Sequence, residues 1–295
     1  MSLVHTIENE FYTVQIQGTG AELCSFYSKK TGTEYMWSAN PKVWASHAPV
    51  LFPIIGCLKD GFCYIDNKSY VIPKHGIVRN NNDLIVDKKD RQTVSFSLSH
   101  STESLKIYPY LFEFEVCFHL EGNRLLIEHT IVNKDHLNTL FFSLGGHPAF
   151  KCPFHDGESY SDYYVEFDNI ENDFSCEVDC NGLIGDGSNK LLDNTDFLSL
   201  SPSMFSNDAL IFKNLRSKRV FLKSHLHNVS LELAFPDFDY LAFWAKPNAT
   251  FICIEPWLGI SDSVISNQQF IEKEGIQKLE PSSTKKYEFS ISLSE

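Results

Sequence analysis

Four short segments set proton-moving side chains among residues that constrain the backbone. Pro73-Lys74-His75-Gly76-Ile77-Val78-Arg79 puts a histidine and an arginine either side of a glycine. Ser143-Leu144-Gly145-Gly146-His147-Pro148-Ala149-Phe150 places His147 between a glycine pair and a proline. The glycines open conformations closed to other residues and Pro148 stiffens the chain beyond His147, a way to hold one imidazole in place. Ser206-Asn207-Asp208-Ala209 brings a carboxylate to the start of the apolar run Leu210 to Phe212. Phe251-Ile252-Cys253-Ile254-Glu255-Pro256-Trp257 puts Glu255 directly after a continuous apolar strand, with Trp257 close by. Carboxylates are rarely buried unless paired or functional, so Glu255 is the most informative of the set.

Singly, these residues have plainer readings. His75 suits a surface or hydrogen-bonded core position, Asp208 a turn or cap, and Trp257 and Trp244 core packing. Together, two imidazoles, two carboxylates and aromatic neighbours match what a sugar site needs. Hydroxyls take charged and polar partners, the C–H face of a pyranose takes an aromatic ring, and the ionisable pair supplies acid–base chemistry. No nucleophile elbow, phosphate-cradling glycine loop or dinucleotide fingerprint is present.

These segments need a stiff frame, and the pattern around them is that of strands. Val94, Phe96 and Leu98 alternate with polar residues, as do Val229, Leu231, Leu233 and Phe235, and again Tyr287, Phe289, Ile291 and Leu293. Alternation of period two marks half-buried antiparallel strands. Turn signals fall between the runs at Glu121-Gly122-Asn123, Asn133-Lys134-Asp135, Asn181-Gly182 and Pro236-Asp237, and Phe62 to Ile72 reads as a hairpin. Helical periodicity is weak, limited to short candidates at 40–45, 202–206 and 263–273. The expected class is therefore all-β, a large antiparallel β-sandwich with a few short helical turns. No linker, repeat or low-complexity tract divides the chain, so residues 1–295 are expected to form a single domain. The Gly-, Asn- and Asp-rich stretch 179–196 reads as a long loop beside or over a site.

The chain has 295 residues, 24 of them Phe, and a formal net charge of −13, which disfavours nucleic acid and anionic membranes as partners. No run is long and apolar enough for a membrane span. Residues 1–12 lack the apolar core of a secretory signal. The eight cysteines are irregularly spaced, several of them in apolar runs, and are expected to be reduced thiols in a cytoplasmic protein. Cys176 and Cys180 form a lone close pair without the second pair that a zinc site needs, so no metal is expected.

The segments HGIVR at 75–79, GGHPAF at 145–150, NDALIF at 207–212 and CIEPWLG at 253–259 resemble the galactose mutarotase (aldose 1-epimerase) superfamily, in particular its less characterised LacX-like branch. Ala48-Pro49-Val50-Leu51-Phe52-Pro53 with Gly56, and Tyr108-Pro109-Tyr110 leading into Leu125 to Asn133, add to the resemblance, which runs from near Glu8 to near Leu293. It implies a β-supersandwich with a sugar in an open cleft, and an isomerase that interconverts anomers without a cofactor. In that reading Glu255 is the base that takes the proton from the anomeric hydroxyl. His147 is the acid that protonates the ring oxygen, His75 polarises the same region and Asp208 binds hydroxyls.

Family members often carry an arginine where this chain has Gly56-Cys57-Leu58-Lys59-Asp60, so Lys59 stands as its candidate replacement. Arg79 belongs to the HGxxR form of the branch and serves sugar or phosphate binding. Free hexoses, pentoses and hexose 6-phosphates are the candidate substrates. The phosphorylated alternative requires Arg79 and one of Lys59 or Lys74 to converge on the cleft. A non-catalytic sugar-binding or sensing protein is the alternative from a different class, and a two-carboxylate glycosidase is a weaker one. Oligomeric state is not legible.

Overall fold

A computed structural model describes residues 3–295. As expected from period-two patterning, the architecture is antiparallel β. One fifteen-stranded sheet dominates, joined by a four-stranded sheet, one small hairpin, and a two-stranded pair of Leu140–Phe142 with Gln277–Leu279. Among the described residues, helical structure is confined to three-residue 3-10 turns. The candidates at 40–45 and 202–206 are hydrogen-bonded turns, and a 3-10 turn at Phe270–Glu272 falls within the third.

The alternating runs bury one face as predicted. Strand Arg124–Asn133 turns Leu125, Ile127, His129 and Ile131 inward, and strand Thr284–Ser294 does the same with Tyr287, Phe289, Ile291 and Leu293. The first of these joins strand Phe112–Glu121 through a turn at Gly122, whose φ is 56°. The hairpin read at 62–72 is strand Cys63–Ile65 paired with Lys68–Tyr70 through Asp66 and Asn67, both at positive φ. Asp and Asn tolerate that left-handed region best among side-chain-bearing residues. Most inward faces merge into one apolar cluster running from Ile7 to Leu293, and a smaller one gathers Leu51, Ile211 and Trp257.

The stretch 179–196 departs from the expectation. Only 179–183 is a loop, and Ile184–Ser199 is a sixteen-residue strand paired with Tyr163–Val178. Glycine and asparagine are poor strand formers, but β-propensity yields to context. Here the long partner strand supplies the ladder, with several register shifts along it. The expected placement beside a site holds for Gly182, which lines the cleft that contains Glu255.

Candidate active site

The cleft is organised by the register around strand Phe251–Leu258. On one side that strand pairs with Tyr240–Trp244, setting Ala242 opposite Glu255. On the other it pairs with two short strands, Leu144–Gly146 and Ala149–Lys151, with Gly145 opposite Trp257 and Ala149 opposite Cys253. Between those pairs, the same count sets His147 across from Glu255. Directly opposed residues on an antiparallel pair meet side by side, and His147 Nε2 lies 3.2 Å from Glu255 Oε2.

The neighbouring glycines work by size. A Cβ on Gly145 would sit 2.7 Å from Trp257 Cδ1, and one on Gly146 would sit 2.8 Å from Phe289 Cζ. Neither has the positive φ that glycine alone adopts freely, so the conformational freedom expected from the sequence is not the reason for the pair. They admit the indole and the phenyl ring against the backbone, and the reason is close approach. Gly76 does have a positive φ, 85°, and a Cβ there would fall 2.0 Å from the Phe52 carbonyl oxygen. His75 itself has a φ of 66°, and its main chain is tied to Gly56 and its ring to the Gly56 N–H. Because Nδ1 of His75 accepts that N–H at 3.2 Å, its ring proton lies on Nε2.

The resulting cavity has a volume of about 360 Å³. His75, His147, Asp208, Glu255, Arg79 and Trp257, six of the seven residues singled out in the sequence, line it together. Lys59 does not: its Nζ donates to the Ser266 carbonyl at 3.1 Å, and its main-chain N–H donates to Asp262. It sits in a 3-10 turn whose middle residue, Asp60, has a φ of 54°, a geometry that points its ammonium at Ser266. Lys74, the other lysine considered beside Arg79, does line the cleft with it.

Four lining residues carry no signal recognised in the sequence: Trp44, Val178, Lys246 and Ser261. Trp44 stacks on His147 with centroids 5.1 Å apart, and Trp244 meets the same imidazole edge-on at 5.8 Å. Three of the four tryptophans thus gather here. The available signal was a tryptophan in the polar segment after Asn40, where core packing does not explain it. Ser261 Oγ accepts the Cys57 N–H and donates to the Gly182 carbonyl, pinning the 179–183 loop to the rim.

Burial dominates the electrostatics. Glu255 is 1% exposed, and desolvation pushes its carboxyl well above the usual range. The charges of Lys74 and Arg79 pull the other way, while Asp208 adds to the rise. Burial lowers His147 to about 3, helped by Arg79 and Lys74, and lowers His75 well below its ordinary value. Glu255 Oε2, His147 Nδ1 and Trp257 Nε1 are buried without a protein hydrogen-bond partner. The 3.2 Å contact is thus at ion-pair distance without hydrogen-bond alignment, leaving Oε2 free for a ligand hydroxyl.

Two groups have metal-like spacing. His147, Cys253 and Glu255 hold their ligand atoms within 4.8 Å of one another. Lys74 and Arg79 face the same cleft and burial keeps the Cys253 thiol protonated, both of which oppose a cation. His155, Glu158 and His227 form the other group. There His227 Nδ1 accepts the Val229 N–H, so its Nε2 carries the proton and faces Glu158 as a donor, not as a ligand.

A wide antiparallel sheet thus carries an imidazole and a carboxylate in an open, tryptophan-lined cleft. The chain belongs to the aldose 1-epimerase family, whose profile matches residues 3–269. It is 33% identical over 298 residues to the plasmid-encoded protein LacX of Lactococcus lactis subsp. lactis, covering 97% of this chain and 98% of that one. Among solved structures it resembles a galactose mutarotase related enzyme from Lactobacillus acidophilus, with 33% identity, a TM-score of 0.93 and coverage of 99% and 98% of the two chains. A galactose mutarotase-like protein from Lactobacillus casei matches with 27% identity and a TM-score of 0.92, over 99% of this chain and 100% of that one.

Proposed function

We propose that this chain is a mutarotase that interconverts the α and β anomers of an aldose, with Glu255 as base and His147 as acid. The observation that carries this reading is the register-set pair, 3.2 Å apart and buried at a sugar-sized cleft. Mutarotation takes one proton off O1 and puts one on O5, which opens the ring to the aldehyde. Rotation about C1–C2 and reclosure from the other face gives the other anomer. The pair holds one exchangeable proton, and in the sugar-free site burial favours it on the carboxyl. Carboxylate with imidazolium has the same proton count, so the active distribution needs no exchange with solvent. The two groups titrate as a unit.

His75, with its proton on Nε2, is a donor for the region of the anomeric centre. Asp208 accepts from hydroxyls, and Trp44, Trp244 and Trp257 offer apolar faces to the C–H side of the ring. One domain over 1–295 and a cytoplasmic location complete the proposal; supporting the first, a single apolar cluster includes residues near both ends.

A phosphorylated aldose is the second reading for the substrate. Lys74 and Arg79 converge on the cleft as that reading requires, and Lys246 joins them, on a protein of net charge −13. Neither lysine forms an ion pair among the described residues. A concentration of cations against the overall charge favours an anionic group on the ligand.

The test is the rate of optical-rotation change when fresh α-D-glucose or α-D-galactose meets the protein, corrected for the spontaneous rate. Acceleration that is lost in His147→Ala supports the reading. If neither sugar responds, 6-phosphates and pentoses are tried next. Failure across that panel would favour a sugar-binding protein without turnover.

A further inference from the structure

Behind the rim of the cleft, apart from the proton pair and its strands, lies a buried lysine–carboxylate pair. Lys273 Nζ donates to Asp262 Oδ1, and both side chains are 2% exposed. Every other lysine or arginine ion pair among the described residues has its cation at least 24% exposed. Neither Lys273 nor Asp262 lines the cleft. A buried ion pair is poor support for stability, because desolvating both charges offsets their attraction and apolar replacements are often neutral or stabilising. What such a pair can supply is orientation, and Asp262 is placed to supply it.

The second carboxylate oxygen, Oδ2, accepts the Lys59 N–H at 2.9 Å. The main chain of Asp262 donates to the Cys57 carbonyl and accepts from the Ile184 N–H, each at 2.9 Å. One residue earlier, Ser261 Oγ accepts the Cys57 N–H at 2.8 Å and donates to the Gly182 carbonyl at 2.6 Å. Two residues thus stitch the turn 56–61 and the loop ending at Ile184 to the segment that follows strand Phe251–Leu258. Gly56, Gly182 and Ser261, all within this stitching, line the cleft. A Cβ on Gly56 would sit 2.6 Å from Ser261 Oγ, and the Gly56 N–H is the one that His75 Nδ1 accepts. We propose that Lys273 and Asp262 are positioning residues that clamp this rim, so that Gly56 holds His75 in its Nε2–H form and the cleft wall is set before a ligand arrives. Both act through the main chain of 56–59. The consequence for sugar binding rests on the mutarotase reading above, whereas the clamp itself does not.

The experiment compares the wild-type full chain with two double variants. Asp262→Leu with Lys273→Met removes both charges together, so that neither is left buried alone. Asp262→Asn with Lys273→Met gives back an acceptor for the Lys59 N–H. Amide hydrogen exchange and long-range ¹H–¹⁵N correlation of the histidine rings are read without ligand. In the first variant, exchange at Cys57 and Lys59 is expected to quicken by at least about tenfold relative to strand Arg124–Asn133, and His75 to become a mixture of tautomers. KM for the aldose that responds in the panel above is expected to rise at least about tenfold with kcat within about threefold, because other strands set Glu255 and His147 and what is lost is binding. The second variant is expected to recover most of each change. Wild-type exchange at Cys57 and Lys59 with an unchanged His75 tautomer, in the folded first variant, overturns the proposal. Should that variant not fold, native-state exchange of the wild type decides: the Lys59 amide is expected to open only with global unfolding, and its opening while the sheet stays protected overturns the clamp. If the wild type responds to no sugar of the panel, the enzyme reading falls and the exchange and tautomer results still decide the positioning role.

Discussion

Glu255→Gln separates the chemical role of the carboxyl from its structural one, because the two respond in opposite directions. The side chains are nearly identical in shape, so the register against His147 and the room made by Gly145 are retained. What is lost is the proton-accepting group. A positioned acid–base group contributes about 10²–10⁴-fold, equivalent to about 2.7–5.4 kcal/mol of barrier at about 1.36 kcal/mol per decade. Turnover should fall by at least about 100-fold. Stability should move the other way. Burial raises the folded-state pKa of Glu255 above its ordinary 4.5, so the folded chain holds this proton to higher pH than the unfolded chain does. The associated stability is fully present below the unfolded value and is lost as pH rises through the folded one. An amide has no charge to bury, so the advantage of Glu255→Gln should be small near pH 4.5 and grow through that window. At this chain length about 1 kcal/mol corresponds to about 2 °C in Tm. Polarimetry on fresh α-anomers at saturating sugar, with thermal melts from pH 5 to pH 8, reads both arms. Activity within tenfold of the wild type would remove Glu255 as the base. A Tm difference that is constant with pH would refute the claim that its buried charge costs stability.

The same geometry sets four other outcomes. Gly145→Ala places a Cβ 2.7 Å from Trp257 Cδ1 and 2.9 Å from the Pro256 carbonyl oxygen, so the strand must shift; equilibrium binding of the sugar should weaken and Tm should fall by several degrees. Lys74→Gln with Lys246→Gln should raise KM for a sugar 6-phosphate by at least about tenfold while leaving the free sugar within about threefold, if an anionic group occupies the cleft; equal effects on both substrates would count against the phosphorylated reading. Lys59→Gln should leave kinetics within about twofold, since its ammonium is held by Ser266 outside the cleft. With one proton shared by the pair, the acid limb of the pH–rate profile should lie far below pH 6.5, because His147 gains a second proton only near its lowered value of about 3; an acid limb near 6.5 would show an imidazole titrating in its ordinary range.

The strands were legible because one face of each is buried: the alternations at 93–99, 230–234 and 284–294 place their apolar residues inward with little exception. Six of the seven residues singled out in the sequence line the cleft, most of them beside a backbone-constraining neighbour or an apolar run. Strand Ile184–Ser199 was hidden, since Gly185, Gly187 and Asn189 obey a long-range partner and carry no local signal of their own. Lys59 was misplaced because charge and sequence proximity do not say which way an ammonium leaves a tight turn. Trp44 and Lys246 reach the cleft from segments with no motif around them. The convergence of four chain segments on one cavity lies in topology, which a local reading does not contain.

That topology also explains why this chemistry suits a sheet. A proton pair for ring opening must stay at fixed separation while a ligand turns over beside it, and loops hold such distances poorly. Here the spacing of His147 and Glu255 is set by ladders on both sides of strand Phe251–Leu258, with pairs at Gly145 and Ala149 fixing the register. A one-residue slip would turn Glu255 to the opposite face of the sheet and bring Ile254 or Pro256 in its place. Every residue of the strand is buried, on both faces, so burial alone does not select between the two registers. The paired ladders and the close approach of Trp257 to Gly145 are therefore what keep the carboxyl and the imidazole in register.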